Sequence, residues 1–286
     1  TVSGGALTGN TSSLQGNIVN NAAVVFDQGT NGTYAGTMSG TGSLTKSGTG
    51  NLTLTGANSY AGGTTVSAGT LTGNTTSLQG NIANNTAVVF TGAGGSYAGN
   101  MTGTGSLNVS TTGLLILSGA NTYAGGTTVN SGTLQGNASS LQGNIVNNAA
   151  LVFDQATNGT YAGAISGPGS LTKIGAGVLS LTGNSVVGGG TTVSAGTLAV
   201  NGRLTSNVVV GAGGALGGNG TIGGLATAIN AASAGVSARV LQTLLQVVDP
   251  IQTPVPLALA IEHGPQVVTK SLAQCIGRRQ MAGHLA

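Results

Sequence analysis

The sequence has very few of the residues that most catalytic and nucleic-acid-binding sites use. Only 4% of its 286 residues are charged, 3% are aromatic, and tryptophan is absent. Nucleic-acid binding needs clustered Lys and Arg to neutralise phosphates and aromatic rings to stack bases, so this composition argues against it. A single cysteine, Cys275, allows neither a disulfide framework nor a cysteine-based metal site.

Two kinds of segment are missing as well. No stretch approaches the roughly 20 apolar residues of a membrane-spanning helix. The chain starts at Thr1 without the basic and apolar regions of a signal peptide. We therefore expect it to be a fragment of a longer protein.

Glycine and small apolar residues dominate what is present. There are 54 Gly, and 39% of the residues are hydrophobic. A disordered Gly/Ser/Thr linker lacks the apolar surface that offsets chain entropy, whereas this chain has it. We therefore expect a packed core, and the biased composition indicates a repetitive fold.

The same motifs return along the chain at a nearly constant period. Ser-Leu-Gln-Gly-Asn-Ile begins at Ser13, Ser77 and Ser140, so its spacings are 64 and 63. A unit of this length divides into three parts of about 21 residues, near the length of one coil of a parallel β-helix. We therefore predict three coils per unit, ten or eleven coils in residues 1–224, and a rod roughly 50 Å long.

Local patterns within the unit indicate strands and turns. Residues 51–55 alternate apolar and polar side chains, as a strand with one buried face does, and Gly-rich turns separate such runs. The aromatic residues keep the same phase, since Phe26, Phe90 and Phe153 are spaced like the other markers. We predict short strands throughout the repeats and no helices there.

Residues 42–66, which begin Gly-Ser-Leu-Thr-Lys and end Ala-Gly-Gly-Thr-Thr-Val, resemble the passenger-associated β-strand repeat of bacterial autotransporters. Similar runs occur at 105–129 and 169–193, and 208–224 resembles the segment that ends such arrays. The resemblance implies an all-β, right-handed parallel β-helix that a C-terminal β-barrel exports through the outer membrane. Residues 225–286 are too few for eight or more strands, so we expect the barrel to be missing from this chain.

Catalytic constellations are not evident in the repeats. Both histidines, His263 and His284, lie in the tail, and no serine stands in a Gly-x-Ser-x-Gly elbow. The only acids of the repeats, Asp27 and Asp154, are far apart in sequence, unlike the paired carboxylates of glycosidases. We predict no catalytic, cofactor-binding or metal-binding residues, no cofactor, and no enzyme activity.

Charged residues recur in only two of the three units. They are Asp27 with Lys46 and Asp154 with Lys173, whereas the middle unit has Thr91 and Val109. Each acid precedes its lysine by nearly one coil, which predicts stacked, exposed Asp–Lys pairs. Such pairs would stabilise the fold by only about 0 to 1 kcal/mol.

Two polar or aromatic features recur in phase and admit two interpretations each. The asparagine pairs are Asn20–Asn21, Asn84–Asn85 and Asn147–Asn148. They could form a carbohydrate-facing row, but turn chemistry or a stacked amide ladder is favoured. The tyrosines of the Tyr-Ala-Gly motifs could present rings to sugars, but packing at a corner is favoured.

The composition changes after Gly224, where glycine thins out and charges concentrate. Val236, Val240 and Leu244 fall at helical spacing, which predicts a short amphipathic helix over 236–248. Residues 225–286 are therefore predicted to be a partly helical or irregular tail.

The function expected from these observations is structural. We expect a passenger fragment displayed on the bacterial cell surface or outer membrane, or secreted, that mediates adhesion or self-association. Its expected partners are a host-cell surface, a glycan or matrix ligand, or further copies of itself, and not nucleic acid. A spacer without ligand and a polysaccharide-acting β-helix enzyme are the alternatives.

Overall fold

A computed structural model describes residues 1–225, which form 25 β-strands and no helix. The predicted helix at 236–248 lies outside the described residues. In chain order the strands are β1 (Ala6–Gly9), β2 (Ile18–Val19), β3 (Ala23–Asp27), β4 (Gly32–Tyr34), β5 (Met38–Ser39), β6 (Ser43–Ser47), β7 (Asn51–Leu54), β8 (Thr64–Val66), β9 (Thr70–Gly73), β10 (Ile82–Asn84), β11 (Ala87–Gly92), β12 (Gly95–Tyr97), β13 (Met101–Thr102), β14 (Ser106–Leu117), β15 (Thr127–Gly136), β16 (Ile145–Asn147), β17 (Ala150–Asp154), β18 (Gly159–Tyr161), β19 (Ile165–Gly167), β20 (Ser170–Ile174), β21 (Val178–Leu181), β22 (Asn184–Val187), β23 (Thr191–Val200), β24 (Arg203–Gly217) and β25 (Thr221–Leu225).

Every strand pairing is parallel and joins one coil of the chain to the next. In one column of stacked strands, β4 pairs with β7, β7 with β9, and β9 with β11. The chain thus winds through about eleven coils, which gives a rod about 50 Å long at the usual strand spacing of ~4.8 Å. This confirms the prediction of an all-β parallel solenoid. Among the described residues no helix is long and apolar enough to cross a membrane.

The coils are shorter than the sequence analysis predicted. Leu7 stacks on Val24, Val24 on Leu44, and Leu44 on Thr64. Three coils therefore carry the chain from Leu7 only as far as Thr64, whereas the sequence motif that contains Leu7 returns at Leu71. The prediction of three coils per unit is wrong, because the corners consist of tight turns that use fewer residues.

Because each unit is longer than three coils, each repeat begins on a new face of the solenoid. Leu71 is the counterpart of Leu7 in the next repeat, but it stacks on Leu52 and not on Thr64. One unit therefore winds about three and one third coils. Equivalent residues of successive repeats lie one face further round and about 16 Å further along the axis. We define the first repeat as residues 7–70, the middle repeat as 71–133 and the third repeat as 134–197.

The core consists of the inward side chains of every strand. In β7 the side chains of Leu52 and Leu54 are buried, while those of Asn51 and Thr53 are only half-buried. The same alternation continues in the strands stacked on it, so like residues lie over one another. Burial of these apolar columns is the main stabilising contribution expected for such a fold.

Close packing of neighbouring coils explains why the Tyr-Ala-Gly motif has a glycine. A β-carbon at Gly36 would collide with the main-chain oxygen of Gly16 in the preceding coil. A β-carbon at Gly99 or Gly163 would collide in the same way with the oxygen of Gly80 or Gly143, respectively. Only glycine lets the two coils approach this closely at the corner.

Candidate binding groove

A capped turn forms one corner of the solenoid in each repeat. In the middle repeat the side-chain oxygen of Asn74 accepts hydrogen bonds from the N–H groups of Thr76 and Ser77, both at 2.9 Å. The Leu78 N–H donates to the main-chain oxygen of Asn74 at 2.9 Å, which closes one helical turn. Asparagine is favoured at this position because its side chain satisfies N–H groups that the turn leaves unpaired. The turn is therefore rigid.

A buried tyrosine of the next coil holds this turn in place. The Tyr97 hydroxyl donates to the Gly80 oxygen at 2.6 Å, and the ring packs on Phe90 with centroids 5.1 Å apart. Burial raises the pKa of Tyr97 above 10.0. All five tyrosines are at most 3% exposed. The prediction of corner packing is confirmed, and the alternative of sugar-facing rings is wrong.

A shallow groove of about 400 Å³ lies between the turn and the next coil. One wall is the turn itself, including Thr75, Gln79 and Asn81, and the other is residues 96–99. Buried Leu78 and Tyr97 also line the groove. Its lining contains hydroxyl, amide and main-chain groups and no charged side chain. Such a lining suits a neutral, polar ligand better than an ion.

The first and third repeats have a buried glutamine beside this corner. Gln28 accepts a hydrogen bond from the Thr11 N–H at 3.0 Å and donates to the Thr30 oxygen at 2.7 Å. Gln155 makes the same two bonds with the Ala138 N–H and the Thr157 oxygen, at 2.9 and 2.8 Å. Each glutamine thus joins two neighbouring coils.

The middle repeat has no such glutamine, because it is one residue shorter between Phe90 and Tyr97. Thr75 occupies the place of Thr11, and its hydroxyl donates to the Gly94 oxygen at 2.9 Å. The Thr75 N–H has no hydrogen-bond partner among residues 1–225. The sequence analysis missed this site, although the uneven spacing of Ser13, Ser77 and Ser140 was its signal.

Two lysines are buried in the same repeats that carry the glutamines. Lys46 and Lys173 have no exposed surface. The Lys46 ammonium donates to the main-chain oxygens of Ser47, Gly48 and Ala68 at 2.7, 2.7 and 3.0 Å. Lys173 does the same in the third repeat, with the oxygens of Ile174, Gly175 and Ala195. Burial lowers the pKa of both lysines, and the nearby aspartates offset part of that effect.

The prediction of exposed Asp–Lys ion pairs is therefore wrong. Asp27 stacks on Ser47, and Lys46 stacks on Phe26. Because neighbouring residues of a strand point to opposite faces, the carboxylate faces outward and the ammonium inward. Asp27 instead accepts a hydrogen bond from the Ser47 hydroxyl at 3.2 Å. The spacing of 19 residues places Asp27 and Lys46 on neighbouring strands, but their positions differ by one residue in the pairing register.

The asparagine pairs take part in turns, as favoured from the sequence. Asn20 is fully buried, its amide donates to the Ser43 oxygen at 2.8 Å, and its oxygen accepts from the Ala22 N–H at 3.2 Å. Asn84 and Asn147 make the same pair of bonds in their repeats. The first asparagine of each pair is thus unavailable to a ligand.

The remaining sequence candidates form no cluster in the part of the chain that the structure describes. No three His, Cys, Asp or Glu side chains come together within residues 1–225. His263, His284 and Cys275 lie outside the described residues. The groove of the middle repeat is therefore the candidate site.

Comparison with known proteins agrees with the fold and the repeats. The Passenger-associated-transport-repeat family matches residues 44–72, 112–135 and 171–200. The chain is also 39% identical over 148 residues to the Adhesin BmaC autotransporter of Brucella suis biovar 1 (strain 1330), an alignment that covers 41% of this chain. The chain spans 4% of the length of that relative. No solved structure matches the chain.

The matched segments lie where the sequence analysis placed its repeats, and each contains strands of the parallel solenoid. The resemblance noted from the sequence is thus confirmed by the family match and by the relative. Residues 44–72, 112–135 and 171–200 are thus passenger-associated-transport repeats, and the chain is similar to part of an autotransporter adhesin.

Proposed function

We propose that this chain is an adhesive module that binds a host-cell surface, a glycan or a matrix component. An autotransporter adhesin passenger is displayed at the outer membrane surface or is secreted, where such ligands are accessible. The relative is named an adhesin, which supports this role. The observation that carries the proposal is the neutral groove held open between a capped turn and a buried tyrosine.

The arrangement of charges supports binding more than polysaccharide cleavage. A glycosidase needs two carboxyl groups that flank one glycosidic bond. Asp27 and Asp154 lie in different repeats, and the lysines that share those repeats are buried against main-chain oxygens. The acids of the described residues therefore offer no pair that could act on one bond.

Adhesion can be tested with the full chain coated on fluorescent beads. We expect these beads to bind cultured mammalian cells, or surfaces coated with matrix proteins, well above albumin-coated beads. Soluble chain added in excess is expected to compete, because it occupies the same receptors. Binding equal to the albumin control on every surface would instead support a spacer without ligand.

Self-association is a second candidate, and a separate surface favours it. Val146 and Val186 are 42% and 52% exposed, and both stack on Ser166 in one column of strands. Two exposed apolar side chains on one face, with a small serine between them, are suited to contact a second copy of the chain. Sedimentation velocity should then show dimers that the double variant Val146→Ser, Val186→Ser loses. A monomer at all concentrations would exclude this candidate.

A further inference from the structure

The middle repeat leaves one main-chain donor unpaired beside the groove. In the first and third repeats the corresponding N–H groups, of Thr11 and Ala138, donate to a buried glutamine oxygen. The Thr75 N–H has no partner among the described residues, although Thr75 lines the groove. A donor of this kind that water does not satisfy costs free energy, so an acceptor brought by a ligand would be favourable there.

The first repeat shows where such an acceptor would lie. The Gln28 amide occupies the space between Thr11 and Gly32, since a β-carbon at Gly32 would collide with both side chains. The same space in the middle repeat lies between Thr75 and Gly95, next to Ser96 of the groove wall. There it is not filled by a glutamine, because the repeat is one residue shorter.

The chemistry of the missing group indicates the chemistry of the ligand. A glutamine side chain ends in a neutral amide, with a carbonyl oxygen that accepts and an N–H that donates. The acetamido group of an N-acetylated sugar has the same carbonyl and N–H. The remaining sugar hydroxyls can then bond to the exposed Asn81 and Ser96 side chains.

Charge and size agree with a neutral sugar. The charged pair of the other repeats is replaced by Thr91 and Val109 in the middle repeat, and no charged residue lines the groove. A volume of about 400 Å³ lies in the range of sites that hold small organic ligands. An anionic or cationic glycan would find no opposite charge here.

We propose that the groove of the middle repeat binds a neutral N-acetylated saccharide, whose acetamido oxygen accepts a hydrogen bond from the Thr75 N–H. This inference rests on the proposed adhesive function and names the class of ligand. It also assigns different roles to the repeats, because the glutamine of the first and third repeats already satisfies the donor that the sugar needs.

Isothermal titration calorimetry of the full chain tests the proposal with two β-linked disaccharides, N,N′-diacetylchitobiose and cellobiose. They differ in the acetamido groups that the first carries and the second lacks. We expect the chitobiose to bind and the cellobiose to bind roughly tenfold more weakly, the effect of one neutral hydrogen bond. Equal affinity for the two sugars, or no heat with the chitobiose, would overturn the proposal.

Two variants at one position isolate the N–H group. Thr75 follows the capping residue Asn74, a position where proline fits the turn and lacks an N–H. Thr75→Pro should weaken chitobiose binding roughly tenfold relative to Thr75→Ala, which keeps the N–H and matches Ala138 of the third repeat. Both variants lose the threonine hydroxyl, so that bond cancels in the comparison. Equal binding by the two variants, with unchanged thermal unfolding, would refute the role of the N–H.

The bead assay separates this proposal from the adhesive function. Cell binding by a chain that takes up no chitobiose would leave adhesion standing and overturn the sugar site. Chitobiose binding by a chain that does not attach to cells would establish the site and refute adhesion.

Discussion

The first and third repeats differ from the middle repeat at one corner, although all three wind the same coil. The outer two bury a glutamine and a lysine there, and the middle repeat has neither. Yet the Phe–Tyr ring contact is the same, with centroids 5.0 Å apart at Phe26–Tyr34 and 5.1 Å at Phe90–Tyr97. The coil thus forms without the buried glutamine and lysine. Where these residues are missing, the Thr75 N–H is left without a partner among residues 1–225.

The largest expected effect concerns a buried tyrosine that the first and middle repeats share. Burial raises the pKa of Tyr60 and Tyr123 from 10.0 to about 12, and the third repeat has Val187 in this place. The unfolded tyrosines ionise near pH 10 while the folded ones stay neutral. Stability is therefore fully present below pH 10 and falls as the pH rises from 10 to 12, by about 2 to 3 kcal/mol per tyrosine.

Urea unfolding between pH 9 and pH 12, followed together with tyrosinate absorbance, measures this loss. Absorbance should rise only as the chain unfolds. Tyrosinate that forms near pH 10 in a chain that remains folded would show that the rings are accessible and that the corners are looser than described.

The next effect separates the outer repeats from the middle one. Lys46→Ala removes the ammonium group that donates hydrogen bonds to three main-chain oxygens, and it leaves a cavity. It should therefore lower the free energy of unfolding by about 3 kcal/mol. Val109→Ala is the matched change in the middle repeat and removes only apolar contacts. Urea midpoints of the two variants should differ clearly. If they coincide, the carbonyl contacts of the lysine contribute little.

A smaller effect is expected from the buried glutamine. Gln155→Ala leaves the Ala138 N–H and the Thr157 oxygen without their partner, which should cost about 1 to 2 kcal/mol. Gln142 is only half-buried and donates to the same turn, so Gln142→Ala is the control and should cost about 0.5 kcal/mol. Hydrogen exchange of the turn reports the change locally. Equal protection in both variants would mean that Gln155 contributes no more to the turn than Gln142 does.

The smallest effect concerns the aspartates that lie near the buried lysines. Asp27 is exposed and acts on the Lys46 ammonium only through space, so Asp27→Asn should change stability by about 0 to 1 kcal/mol. The change should shrink further in high salt because exposed charges are screened. A loss comparable to that of Lys46→Ala would mean that the two charges form a direct pair.

Much of the fold was predictable because its causes are local. Alternation in residues 51–55 and the phase of Phe26, Phe90 and Phe153 predicted inward-facing columns, and the structure has them. The number of coils per repeat was not predictable in this way. It depends on how few residues each corner uses. A corner such as the turn at Asn74 is held by hydrogen bonds to the next coil, which a repeat length does not reveal.

The site was less predictable than the fold. Lys46 was expected at the surface, because a lysine is seldom buried without partners and its partners here are main-chain oxygens. The middle repeat differs beside the groove by one missing residue between Phe90 and Tyr97, a change that leaves no chemical motif. Its unpaired donor belongs to the main chain, which is the same at every residue and carries no sequence signature.

Each repeat advances by one face of the solenoid, so that equivalent corners of the three repeats point in three directions. Spin labels at exposed Thr33, Val146 and Thr160, with Cys275→Ser, test it by electron–electron distance measurement. Val146 lies six strands above Thr33 in one column, which places it about 29 Å away. Thr160 is two repeats from Thr33 and lies on another face, so the Thr33–Thr160 distance should be the longer of the two. A Thr33–Thr160 distance shorter than the Thr33–Val146 distance would instead mean that the repeats stack directly over one another and do not advance from face to face.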